Sequence, residues 1–493
     1  MRKDGMTIST VLGGAALKAQ RQGWLRACVP PSARRRLGTA ASGLITRSTD
    51  DLVDDWSRPL VGTGDRAVLK TTPAVAPGEA IPPSPTGVDA TEIELPAEAP
   101  RCLLVTMSLD VARGMDEMVA FLALRLRSHG FRTAILLTPL TPEHDVEDRL
   151  APMLSAAGIE VAVAREPAAR QWVRRWAPDV ISAHDAPDWV LNEARSMAVP
   201  YVKMVHGIHA LFGCDWSAEA ERSRDMAAIV AVSEIVRRQY LRSVPAFPSE
   251  RIVTIPNGVD HLRRVPRDRL TARAALGLKD EFLFVCLARH DANKNQFGLV
   301  SAFDEVAARH PEAHLLMAGH VGPPGYAMQV RRERDRLAAR DRVHLRNHAA
   351  DPAFLLAAAD GFVLNSFFEG GPLVTMEALH AGVPVVASDV GSVRDQLGTD
   401  PSRGYLVRNP LGDPLEVNWT TIASACYARQ INREELVEAL CALVREREQR
   451  ASKREELAAD SAERFHPDHC LRAHANLLHS CVTGRPLGRK RAA

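Results

Sequence analysis

Two glutamates and the glycines beside the first of them are the residues whose types and spacing most clearly suggest chemistry. Glu369 and Glu377 lie in the stretch FVLNSFFEGGPLVTMEALHAGVPVVASDVGSVRD, residues 362–395. Glu369 adjoins Gly370 and Gly371, so a carboxylate and bare backbone amides converge where a phosphate-linked sugar could lie. Pro372 suits the first turn of a helix, where its missing N–H costs nothing. Free N–H groups and the positive end of the helix dipole then point at one spot, a ready anion site. Glu377, more than a turn into that helix, can accept two hydrogen bonds from a ribose diol, as acidic residues do in dinucleotide folds. A lone pair of glutamates at this spacing reads by default as a solvated helix face. The strand before it, the Gly-Gly-Pro helix start and the following apolar strand favour a site. Two cations, Arg289 and Lys294, stand five residues apart after another apolar run. Fixed there, they would stabilise charge gathering on a leaving group more than they stabilise the ground state; alone, they would be solvated loop cations. His206 ends a further apolar run, and by position alone a structural histidine is as good a reading.

These residues need strand ends to hold them. The chain alternates short apolar strands with amphipathic helices from Arg101 onward, the mark of βαβ units and a parallel sheet. Strands are expected at 102–107, 132–138, 159–163, 179–183, 201–206, 229–232 and 252–255. A second series follows at 282–288, 314–318, 343–345, 362–364, 383–387 and 404–407. His206 and Arg289 each come at or just past the carboxyl end of such a strand, the face where open α/β sheets bind ligands. A long charged helical stretch over 434–465 is expected to pack back across the two halves. Residues 71–100 hold seven prolines and few large apolar side chains, and read as an extended linker. Upstream, Lys18, Arg21, Arg26 and Arg34–Arg36 alternate with Leu17, Trp24, Leu25 and Leu37. That pattern is either an arginine-bearing extension or a basic amphipathic segment for an anionic membrane.

The stretch NSFFEGGPLVTMEALHAGVPVVASDVGSV closely resembles the C-terminal signature of the retaining, nucleotide-sugar-dependent glycosyltransferases of family 4, the glycosyl transferases group 1. Ile255-Pro256-Asn257-Gly258-Val259-Asp260 resembles that family's junction between domains, and Arg289 with Lys294 resembles its cation pair. The resemblance spans roughly Arg101 to Cys481. It implies a GT-B fold, two Rossmann-like parallel-sheet domains facing across a cleft. The expected layout is an N-terminal extension and Pro-rich linker over 1–98, an acceptor-side domain over 99–265, a donor domain with C-terminal helices over 266–483, and a basic tail over 484–493. It implies catalytic roles for Glu369, His206, Arg289 and Lys294. Donor contacts are implied at Arg289, Lys294, Gly370, Gly371, Pro372, Leu373, Glu377 and His348, the last in the loop where the family reads the base. The implied reaction moves a sugar from a nucleotide-sugar donor to an acceptor hydroxyl with retention, without a metal or other cofactor. A glycan or lipid-linked molecule is the expected acceptor, in a cytoplasmic setting that includes the inner face of the membrane. Ala112-Arg113-Gly114 stands where the family has a glycine pair, and Asn347 where it often has glycine. Those departures keep open a non-catalytic binding scaffold, beside the enzymatic alternatives of a phosphorylase or epimerase of the same fold.

The bulk numbers agree with this and exclude other classes. The 493 residues, 46% hydrophobic and 25% charged, fit a globular chain of two or three domains. A net charge of +2 gives no electrostatic case for nucleic acid. Eight scattered cysteines without a C-x-x-C favour reduced thiols over a zinc site or disulfide framework. No run approaches the 18 apolar residues that a spanning helix needs. The first predicted strand is not followed by G-x-G-x-x-G, which disfavours a dinucleotide-dependent oxidoreductase.

Overall fold

A computed structural model describes residues 52–54, 56, 59–61, 95–110, 114–140, 148–259, 267–349 and 351–486. Alternation of apolar strands and helices produces two parallel sheets. The first contains β1 (Arg101–Thr106), β2 (Arg132–Leu137), β3 (Glu160–Val163), β4 (Val180–His184), β5 (Tyr201–Val205), β6 (Ala228–Ala231) and β7 (Ile252–Thr254), in the order β3-β2-β1-β4-β5-β6-β7. The second contains β8 (Phe282–Leu287), β9 (Ala313–Ala318), β10 (Val343–Arg346), β11 (Gly361–Leu364), β12 (Val385–Ser388) and β13 (Gly404–Val407), in the order β10-β9-β8-β11-β12-β13. Strand order reverses beside β1 and beside β8. In such sheets the ligand crevice lies at that switch point, outside the carboxyl ends of the strands.

The central strands are buried on both faces because helices cover both. Successive residues therefore enter different cores: Leu103 and Val105 go to one side of the first sheet, Cys102 and Leu104 to the other. Phe282, Phe284 and Cys286 alternate likewise with Leu283, Val285 and Leu287. A single apolar cluster contains the inner faces of both sheets. Between the domains, Phe212 meets Phe368 at 5.1 Å and Trp419 at 5.5 Å between ring centroids, both edge-on. Phe368 and Trp419 close the triangle at 5.4 Å.

Helix ends follow local chemistry. The helix Gly114–Arg125 runs into a 3-10 turn, Leu126–His129, which Gly130 stops at φ +83°. Two differences from the sequence reading concern packing. The 434–465 stretch is three helices, Arg433–Arg445, Arg447–Ser452 and Arg454–Arg464, and the next helix, Pro467–Thr483, is the one that returns to the first domain. Its Cys470, Leu471, Ala475, Leu477 and Leu478 join the core under β1 and β2. The second difference is upstream: Asp54, Trp56, Leu60 and Val61, expected to belong to an extension, pack on the second domain, with Leu60 inside its core. The basic segment at 15–37, the linker at 71–94, Ala112-Arg113 and residues 487–493 of the basic tail lie outside the described residues.

Candidate active site at the domain seam

The loop after β11 carries Glu369, and four polar bonds hold it. Phe367 N donates to Asn293 O at 2.8 Å. Asn409 Nδ2 donates to Phe367 O at 2.8 Å, Ser388 Oγ to Ser366 O at 2.7 Å, and Asn432 Nδ2 to Asn365 Oδ1 at 2.8 Å. On this fixed loop the Glu369 carboxylate accepts from Lys294 Nζ at 2.7 Å and from Ser366 Oγ at 2.7 Å. Lys294 closes a 3-10 turn, Ala292–Lys294, just past β8. The next residue, Asn295, sits at φ +56°, which Asn tolerates better than most, and its side chain caps the helix Gln296–Arg309. Reciprocal amide bonds with Gln430, at 2.9 and 2.7 Å, lock it there.

Gly370 is where the two domains touch. It forms an antiparallel bridge with Gly207. A Cβ on Gly370 would lie 1.8 Å from the His206 carbonyl oxygen, so only glycine permits this approach. Beside it, Asn257 Nδ2 donates to Gly371 O at 3.0 Å. Asn257, in the expected junction Ile255–Asp260, thus reaches the loop that carries Glu369. The helix after the loop begins at Leu373, with Pro372 as its cap at φ −65°. The Pro372 carbonyl accepts from Thr375 Oγ1 at 2.9 Å and Gln396 Nε2 at 3.1 Å. Leu373 packs with Val259, Met376 and Phe465, and lies 3.5 Å from where a Cβ on Gly114 would be. Glu377 is buried in the same helix, 6% exposed.

His206 follows β5, and its Nε2 lies 2.7 Å from Nδ1 of His184, the last residue of β4. The other ring nitrogen of His184 lies 3.1 Å from Ser182 Oγ. His184 has no solvent exposure. Burial, then the nearby charges of His206 and His474, hold its pKa well below the ordinary histidine value. His184 is therefore neutral, and a single shared proton ties its ring to His206. Sequence reasoning missed this partner, although β4–β5 register sets His184 beside Met204, two residues short of His206.

Arg289 and His348 stand further out. The Arg289 guanidinium is 58% exposed and pairs with Asp291 at 2.9 Å, so it does not join the Lys294–Glu369 pair. His348 is half-buried, its ring parallel to that of His320 at 4.2 Å and 9°. Burial and the His320 charge lower its pKa. Of the expected residues, the structure joins Lys294 to Glu369 and His206 to Gly370. Among the described residues, no three His, Cys, Asp or Glu side chains cluster as metal ligands.

Two family models match consecutive halves of the ordered chain: Glycosyltransferase Family 4 over residues 112–263 and Glycosyl transferases group 1 over residues 268–416. The chain is 28% identical over 368 residues to the phosphatidyl-myo-inositol mannosyltransferase of Mycobacterium tuberculosis, covering 70% of this chain and 91% of that protein. A GDP-mannose-dependent mannosyltransferase of Corynebacterium glutamicum, acting on a monoacylated phosphatidylinositol monomannoside, is 28% identical over 202 residues, 39% of this chain and 51% of that one. In three dimensions the chain is similar to Anabaena HepE, crystallised with UDP, at a TM-score of 0.62 and 18% identity, covering 77% of this chain and 100% of that one. HepE was also crystallised with UDP-glucose. Fold, motifs and family models agree: the chain belongs to the family 4, group 1 glycosyltransferases and has the GT-B fold. Among the described residues, no helix is long and apolar enough to cross a membrane.

Proposed function

We propose that this glycosyltransferase moves a hexose from a nucleotide-sugar to the hydroxyl of a glycan or lipid-linked acceptor, with retention of anomeric configuration and without a metal. The observation that carries the reading is the Lys294–Glu369 pair, 2.7 Å long, on the loop that meets the His206 carbonyl. A donor diphosphate lies against the Gly370 and Gly371 amides and the start of the helix at Leu373. It takes over Lys294, whose charge then follows the leaving phosphate. Arg289 swings from Asp291 to the same anion. Cations fixed before the reaction stabilise the developing charge without reorganisation, which is the work a metal does elsewhere. Glu369, released from Lys294, orients the sugar hydroxyls and balances positive charge at the anomeric carbon. Glu377 holds the ribose, and His348 lies at the base. His206, fixed by His184, reaches the sugar from the acceptor-side domain. No side chain is assigned as covalent nucleophile or general base; the departing phosphate takes the acceptor proton.

The mycobacterial and corynebacterial relatives carry names of enzymes that act on phosphatidylinositol derivatives, which supports a lipid-linked acceptor here. The arginines in the sequence of 15–37 carry positive charge suited to peripheral contact with an anionic membrane at its cytoplasmic face. The test is turnover of nucleotide-sugars by wild type and Glu369→Gln, with product anomers assigned by NMR. The reading expects one donor to be used, one retained anomer, unchanged turnover after chelation, and loss of turnover in the variant. An inverted product or full activity in Glu369→Gln would overturn it.

A further inference from the structure

The nucleotide-binding domain has a neighbour that neither family model covers. β10 is the edge strand of the second sheet, and an open edge offers unpaired backbone groups to any extended segment. Asp54 of this same chain takes that place, with Trp56 and Pro59–Val61 packed beside it. Asp54 forms a parallel bridge with Arg346, and its N–H donates to Leu345 O at 2.9 Å. Trp56 Nε1 donates to the His348 carbonyl at 3.2 Å. Its ring lies under the Arg346 guanidinium, 5.9 Å from ring centroid to carbon. Arg346 Nη2 donates to Pro59 O at 3.4 Å. The segment is anchored beyond this by Leu60 N and Val61 N, both donating to Leu276 O at 2.9 and 3.3 Å. Gly277 admits it: a Cβ there would lie 1.8 Å from Val61 O.

These contacts converge on Arg346–His348. From inside the domain the loop is held by His290 Nε2 at 2.9 Å from Arg346 O, and by Gly319 N, which donates to the same oxygen at 3.3 Å. His290 directly follows Arg289. Past Arg346 the described polar anchor from another element is the Trp56 indole, on the carbonyl of the residue whose ring stacks on His320. A loop that reads a base by backbone groups and ring faces must be fixed within a fraction of an ångström. We propose that Asp54, Trp56 and Pro59–Val61 form a strap that completes the nucleotide site, with Trp56 the positioning residue that fixes the Arg346–His348 loop and so sets affinity and selectivity for the donor base. The inference rests on the assignment of this face to the nucleotide.

Full-length wild type, Trp56→Ala and Trp56→Phe are titrated calorimetrically with UDP, GDP and ADP. Phe keeps a ring beside Arg346 and removes only the donor to His348, so it serves if the alanine variant folds poorly. Trp56→Ala is expected to weaken the preferred diphosphate about tenfold and the other two less, narrowing the preference. Trp56→Phe is expected to narrow it in the same direction by a smaller factor. Unchanged constants, or an equal loss for all three bases, would make the strap merely structural and overturn the proposal. If wild type binds none of the three, the donor-site reading falls and takes this inference with it. If wild type binds and the variants match it, only this inference falls.

Discussion

At the scale of single residues, Lys294 and Glu369 hold each other at 2.7 Å, and the proposed function gives each another partner once a donor binds. Lys294→Ala should lower kcat by about 10²–10³, the usual loss for one preorganised group facing developing charge. Steady-state kinetics at saturating donor would check this, and a loss below tenfold would remove Lys294 from the leaving-group role. Stability should change little, on the order of 1 kcal/mol, since both side chains retain some solvent. His184 acts one step removed: its neutral ring holds His206 by one proton. His184→Ala should cut kcat about tenfold with a smaller change in donor KM, and His184→Asn should recover part of it; a full-rate alanine variant would separate His184 from catalysis. The placement of Glu369, Lys294 and His206 was legible because each follows an apolar strand within a few residues. The His184–His206 contact was not, because it joins two strands 22 residues apart and depends on register. Nor was the Arg289 partner, since sequence fixes a cation's place on a loop and not which nearby carboxylate it chooses.

At the scale of elements, the seam depends on backbone approaching backbone. Gly370→Ala would force the two domains apart at the His206 carbonyl. The expected outcome is a folded protein with a larger radius of gyration by X-ray scattering and transfer reduced at least 10²-fold; a compact, fully active variant would mean that the contact is incidental. The aromatic triangle of Phe212, Phe368 and Trp419 spans the same seam from its far side, and Phe368 neighbours Glu369. The triangle was not legible, because Phe212, Phe368 and Trp419 come from three widely separated parts of the chain. Strands were legible throughout, since each is an apolar run bounded by turn residues. The breaks after Arg445 and Ser452 were not, as no proline or glycine marks them and tertiary packing sets them. The packing around Trp56 escaped notice for a related reason: Leu52, Val53, Trp56, Leu60 and Val61 follow neither a strand nor a helix period, inside a stretch read as an extension.

At the scale of the molecule, the chain passes from the first domain to the second after Val259 and returns at Phe465–Pro467. The Val259 N–H donates to Phe465 O at 3.3 Å where the crossings meet. The two domains are therefore linked by a double hinge beside the loop–helix junction that would bind phosphate. Burial also makes the whole fold sensitive to acid. His474, in the returning helix, has its pKa lowered to about 4 by burial, and His344 to about 3 by burial and neighbouring charges. A histidine depressed in the folded state gives full stability above the unfolded value near 6.5. As pH falls below that, the unfolded chain takes up the proton and the native one does not, so stability is lost. For His474 the loss should be on the order of 3 kcal/mol by pH 4. Urea unfolding between pH 7.5 and 4.5 would show the decline, and His474→Leu should flatten it; a flat wild-type profile would contradict the burial of these rings.

The central claim is that the crevice between the sheets binds a nucleoside diphosphate through Lys294. Its most direct test is thermal unfolding of wild type and Lys294→Ala with UDP, GDP and ADP. A ligand that binds only the folded state adds about 2.7 kcal/mol at roughly 100-fold its Kd. The account predicts that one diphosphate stabilises wild type by that order and that most of the gain disappears in Lys294→Ala. No stabilisation by any of the three, or the same gain in both proteins, would contradict it.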